Sequence, residues 1–170
     1  MKKKLTKAQM RVAVARDVIK RIRARSIKPT SGLYLNTSFH LDISRNDVSK
    51  QIIEQLPKKC EACAIGGMFL SSLRLYNKYK PNKYLLTGNA NDTLGPVSTL
   101  ISSVSMREDQ LKKYFTDKQL GLIENVFETT HNINHQRINV FLEKHNKSSR
   151  AVLLIAIMKN IIKNKGTFKP

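Results

Sequence analysis

Two cysteines and two of the four histidines are the residues of this 170-residue chain best suited to chemistry. Cys60-Glu-Ala-Cys63 offers two soft ligands, and His131-Asn-Ile-Asn-His135 offers two imidazoles at i and i+4, which share one face if the segment is helical. Together they make a possible Cys₂His₂ tetrahedron for zinc. Against it, 67 residues separate Cys63 from His131, whereas small structural zinc modules keep their ligands close in sequence. A plainer account is favoured. Cys60, Ala64, Gly67 and Ser71 follow at spacings of 4, 3 and 4, with Cys63 next to Ala64, so a helix here has a face of small side chains that a second helix can approach closely. A buried Cys on that face behaves as a small hydrophobe. Gly66 and Gly67 each cost ~1 kcal/mol relative to Ala in a helix, which close packing or a local break must offset.

Other reactive arrangements find little support. His40-Leu41-Asp42 followed by Pro57-Lys-Lys-Cys60-Glu-Ala-Cys63 faintly resembles the H-x-E and P-C-x-x-C signature of zinc nucleoside deaminases. It departs in having Asp for the family's Glu, a Pro not adjacent to the first Cys, and no succession of strands. A thioredoxin-like role is opposed by the lack of a preceding βαβ pattern and by Glu61, whose charge disfavours a thiolate. No phosphate-binding glycine loop and no G-x-S-x-G elbow exists, and Glu108-Asp109 suits a helix N-terminus better than acid–base work. The chain reads as non-enzymatic.

Charge is the stronger signal. The formal +19 sits almost entirely at the ends. Met1 to Lys28 holds 11 Lys/Arg and one acid, Lys144 to Pro170 holds 7 and none, and the 13 basic and 11 acidic residues between them nearly cancel. Two concentrated basic segments point to a polyanionic partner whose counterions are released on binding. The candidate contacts are Arg11, Arg16, Lys20, Arg21, Arg23 and Arg25 near the start, with Lys159, Lys163 and Lys165 at the far end. Five of the six in the first group are Arg, which favours bidentate phosphate contact. Tyr76, Tyr79 and Tyr84, among Lys78, Lys80 and Lys83, could stack bases, although aromatic content is only 6% with no Trp.

Local patterning supplies the elements that position these groups. Thr6 with Gln9 is a capping box, followed by Ala8, Val12, Ala15, Ile19 and Ile22 at alternating spacings of 4 and 3. Arg16, Lys20 and Arg23 form a cationic row beside that stripe, and Pro29 ends the helix near Ser26. Alternation over Leu33, Leu35, Phe39, Leu41 and Ile43 predicts one small hairpin. Further helices are expected from Ser44 to Leu56 and from about Cys60 to Lys80. Asn82 to Gly95 reads as a long loop, Pro96 begins another helix, and Ser105 and Thr116 start two more. Two helices then remain, one over roughly Asn134 to Lys144 and one from the Ser149 cap to Gly166. The last, with Leu153, Leu154, Ile157, Met158, Ile161 and Ile162 on a wide apolar face, is expected to be the central core element.

The fold expected is therefore mainly α, a compact single-domain helical bundle over residues 1–170 with one small β-hairpin near residues 33–43 and a basic C-terminal tail. Its 41% hydrophobic content is ordinary for a globular domain of this length. The longest apolar run, Ala151 to Met158, is far short of the roughly 20 residues that span a bilayer. No uninterrupted apolar stretch follows Met1-Lys-Lys-Lys4. A soluble cytoplasmic protein with no membrane partner is expected.

The stretches Cys60 to Phe69 and Leu154 to Phe168 resemble segments of small uncharacterised bacteriophage and mobile-element proteins. That resemblance implies a phage setting, without an activity or site residues. The leading expectation is a non-enzymatic nucleic-acid-binding module that grips phosphates through its basic terminal helices in the host cell. Inhibition of a host defence complex by protein binding is the alternative, and a zinc protein or enzyme the third.

Overall fold

The first helix begins as its spacing predicts. In a computed structural model that describes residues 5–32, 35–37, 60–77, 110–129, 136–145 and 149–170, Thr6 caps α1 (Lys7–Arg23). The Thr6 N–H donates to Gln9 Oε1 at 2.8 Å, and the Gln9 N–H donates to Thr6 Oγ1 at 3.2 Å, so the capping box is complete. The buried face is wider than the apolar stripe alone, since it includes Val14, Val18 and the charged Asp17.

A small sheet follows. Strand β1 (Ile27–Pro29) pairs parallel with β3 (Cys60–Ala62), and β2 (Leu35–Thr37) pairs antiparallel with β3 on its other side. The strand expected around Leu35 is thus present, but its partner is Cys60–Ala62. The proposed return strand at 39–43 lies outside the described residues, as does the helix expected from Ser44 to Leu56. Across the parallel register Lys28 Nζ meets Glu61 Oε1 at 2.6 Å.

The helix expected from about Cys60 starts four residues later. Cys60–Ala62 is claimed by the sheet, and Cys63 becomes the N-cap of α2 (Ala64–Ser72). All nine residues of α2 are buried, so it shares the core with the last helix, whose Leu153, Leu154, Ile157, Met158 and Ile161 are buried as expected. A π-helical turn, Leu73–Asn77, continues it and carries Arg74 and Tyr76 towards α1, where the Tyr76 hydroxyl donates to the Met10 carbonyl at 3.0 Å. Gly67 faces α1 and β1 as the small-residue pattern predicts: a Cβ built there would lie 4.0 Å from both Val18 Cγ1 and Ile27 Cδ1. That is ordinary van der Waals contact, so Gly67→Ala should raise stability by roughly 0.5–1 kcal/mol through helix propensity and added burial, read as a higher urea midpoint.

Three more helices complete the described fold: α3 (Asp117–Glu128), α4 (Gln136–His145) and α5 (Arg150–Lys163). They bury most of the apolar residues their periodicity assigns, including Ile123 and Phe127, Ile138 and Phe141, and Leu153 and Ile157, while Ile162 is only partly buried. The most extensive helix–helix packing is between α1 and α5. Buried side chains from the helices and the sheet form one continuous apolar cluster. The fold is mainly helical with one small sheet. Among the described residues no helix is long and apolar enough to cross a membrane.

The segment after α5 is not a loose basic tail. Phe168 is buried edge-on against Phe141, and its backbone N–H donates to Gln119 Oε1 at 2.7 Å. Gln119 therefore serves two ends at once. Its backbone N–H takes the Thr116 cap at 3.3 Å, while its side chain binds Phe168 instead of closing a capping box.

Candidate nucleic-acid interface

Arg16, Lys20 and Arg23 all lie exposed on α1, and at Arg23 their row meets two other helices. Arg23 helps to wall an open groove of ≈ 770 Å³ whose other cations are Arg137 and Lys144 from α4 and Lys159 and Lys163 from α5. No Asp or Glu is among its described lining residues. The geometry follows from helix spacing. Arg137, Val140, Phe141 and Lys144 recur at three- and four-residue intervals on α4, as do Val152, Ile155, Ala156 and Lys159 on α5, so each helix turns one mixed stripe into the groove. Apolar and cationic side chains thus line the same groove.

None of the five Lys and Arg residues is paired with an acid in the described ion pairs, which join Asp17 to Arg21 and Arg74, Lys28 to Glu61, and Lys112 to Asp117. Among the described residues, then, no Asp or Glu side chain offsets their charge within the groove. His145 also lines the groove, its ring 4.7 Å from that of Phe141 and tilted by 54°. Partial burial, and then the charges of Lys144 and Lys159, hold its pKa below the ordinary 6.5. Both effects favour the neutral imidazole.

The cations singled out from sequence divide into three groups. Arg23, Lys159 and Lys163 meet in the groove, with Arg16 and Lys20 extending the row along α1. Arg11 and Arg21 serve the interior: Arg11 Nη1 donates to the Tyr114 carbonyl at 2.8 Å, and Arg21 Nε lies 3.4 Å from Asp17 Oδ2. Arg25 and Lys165 are exposed, each one residue past the cap of a terminal helix.

Those last two positions share a motif. Ser26 N–H donates to the Arg21 carbonyl and Arg25 N–H to that of Ile22, both at 3.0 Å. At the end of α5, Gly166 N–H donates to Ile161 at 2.8 Å and Lys165 N–H to Ile162 at 3.1 Å. Both are Schellman motifs, whose left-handed position usually takes glycine. Here it takes Arg25 at φ 56 and Lys165 at φ 51. Arg25→Gly and Lys165→Gly should each stabilise the fold by about 0.5–1 kcal/mol, seen as a higher thermal midpoint, because the left-handed strain outweighs the lost attraction to the helix C-terminus.

The cysteines sit inside the fold. Cys60 Sγ donates to the Ser26 carbonyl at 3.5 Å, and burial pushes its thiol up to about 11. Cys63 Sγ accepts the Gly66 N–H at 3.5 Å, and its pKa is raised as well, chiefly by burial. His131 and His135 lie outside the described residues, among which no group of three or more His, Cys, Asp or Glu could hold a metal. Of the tyrosines proposed for stacking, Tyr76 packs on Tyr114 at 5.0 Å, while Tyr79 and Tyr84 lie outside the described residues.

Sequence reasoning missed Arg137 and Lys144 as site residues. Their signal was a seven-residue spacing, two helical turns, around exposed Val140. Compared with family models, with curated proteins and with solved structures, the chain matches none, and its functional reading rests on the groove.

Proposed function

We propose that this chain binds nucleic acid without catalysing a reaction on it, holding phosphates with the cations of the groove between α4, α5 and the end of α1. One observation carries the reading: Arg23, Arg137, Lys144, Lys159 and Lys163, from three helices, line a single groove with no acid among its described lining residues. Arg16 and Lys20 continue the track along α1, so a bound backbone has cations to follow beyond the groove. Arg23 and Arg137 can each grip a phosphate with two parallel hydrogen bonds, while the lysines act as point charges.

Salt dependence tests the proposal. If five phosphates are neutralised, log affinity should fall against log salt with a slope of about −3.5 for single strands or −4.5 for duplex DNA. Lys159→Ala with Lys163→Ala should flatten that slope by roughly 1.4 to 1.8. Charge reversal at Arg16, Lys20 and Arg23 should flatten it further. A filter-binding series whose affinity ignores salt removes the proposal.

A further inference from the structure

Phosphate grip accounts for the cations of the groove but not for its exposed apolar side chains. Val140 is 59% exposed and Val152 42%, two of the three large hydrophobic side chains so exposed among the described residues, and both line this groove. Ile155 and Ala156 line it as well, and the His145 ring stands against Phe141. A ligand that only presented phosphates would leave this apolar surface wet.

We infer that the groove takes an unpaired nucleic-acid strand, with its phosphates on the Lys and Arg side chains and its bases on Val140, Val152 and the face of His145. The inference rests on the proposed function and deepens it. In a duplex the base faces are stacked inside and only sugars, phosphates and groove edges are offered. Such a rod cannot fill a channel between neighbouring helices. A single strand can splay its bases onto apolar and aromatic surfaces, and His is among the side chains that take them. The cations also argue against an uncharged apolar partner, because covering five that have no acidic partner among the described residues with apolar surface would strand them without water or counter-charge.

The test compares fluorescein-labelled 15-nucleotide single strands of DNA and RNA with the matching duplexes, by anisotropy on the full chain at fixed salt. The strands should bind at least about tenfold more tightly than the duplexes. Val140→Ser with Val152→Ser, at two exposed positions where thermal unfolding should stay unchanged, should weaken strand binding about five- to tenfold and leave both the salt slope and the duplex affinity unaltered. In the wild type, the His145 imidazole resonances should shift on adding strand, and the His145 pKa should rise as phosphate offsets Lys144 and Lys159. Equal affinity for strand and duplex with a silent serine pair overturns this inference and leaves the proposed function standing. Salt-independent binding, or none, removes both. Displacement of bound strand by an acidic amphipathic helix that itself binds more tightly, through the same valines, overturns the inference in favour of a protein partner.

Discussion

Gly166→Ala should lower stability by ~3 kcal/mol or more, moving the urea midpoint down by about 1–2 M. Gly166 has φ +96, a conformation that side chains rarely adopt, and a Cβ there would stand 2.7 Å from the Ala8 carbonyl oxygen and 3.2 Å from Ala8 Cα. Both opposing atoms are backbone, and Arg11 Nε closes the third side at 3.2 Å. Neither backbone atom can swing aside. Relief requires the first turn of α1 to leave the end of α5, loosening the segment that buries Phe168 and holds it to Gln119. Gly67→Ala is the matched control, because the same methyl group there meets side chains at contact distance. An unchanged midpoint for Gly166→Ala would mean that the two helices do not meet at this point.

Asp17→Asn should cost ~3 kcal/mol or more, since it removes the acid that, among the described residues, is paired with two arginines. The carboxylate is buried, at 6% exposure, with Arg74 Nε donating to Oδ2 at 3.0 Å, Arg74 Nη2 on Oδ1, and Arg21 Nε 3.4 Å from Oδ2. Neutralising it leaves Arg74 half-buried against a neutral amide and weakens the tie between α1 and the turn after α2, which then rests on the Tyr76 hydroxyl at the Met10 carbonyl. Arg21→Met should cost far less, ~1 kcal/mol or below, because Arg74 still satisfies the carboxylate. Replacing Asp17, Arg21 and Arg74 together by apolar residues should recover most of the loss. A chemical-denaturation cycle over these variants checks the ordering, and equal costs for Asp17→Asn and Arg21→Met would sink it.

Elements governed by near neighbours in the chain are legible from spacing alone. The Thr6 and Ser149 caps, the apolar stripes of α3, α4 and α5, and the cationic row on α1 all derive from three- and four-residue intervals, and all are present. The misreadings arise where a distant partner decides. Cys60–Ala62 has helix-compatible spacing with Ala64, Gly67 and Ser71, yet β1 and β2 capture it as a strand, a competition that periodicity does not register. Asp17 looks like an isolated acid in a basic helix because Arg74 lies 57 residues away. Phe168 reads as part of a tail because its partners are Phe141 and Gln119. For the same reason the site is half legible: charge at the two ends locates Arg23, Lys159 and Lys163, while Arg137 and Lys144 enter only when α4 is laid beside α5.

The pairing of α1 with α5 has a consequence for how the protein is made. The two helices lie more than a hundred residues apart in the chain, so during synthesis α1 emerges from the ribosome long before its chief packing partner exists. Until then α1 can pack only on elements already made, among them α2 and β1. Completion of the core is thus tied to release of the C-terminal helix, and the closure entropy of that long intervening span falls on a late folding step.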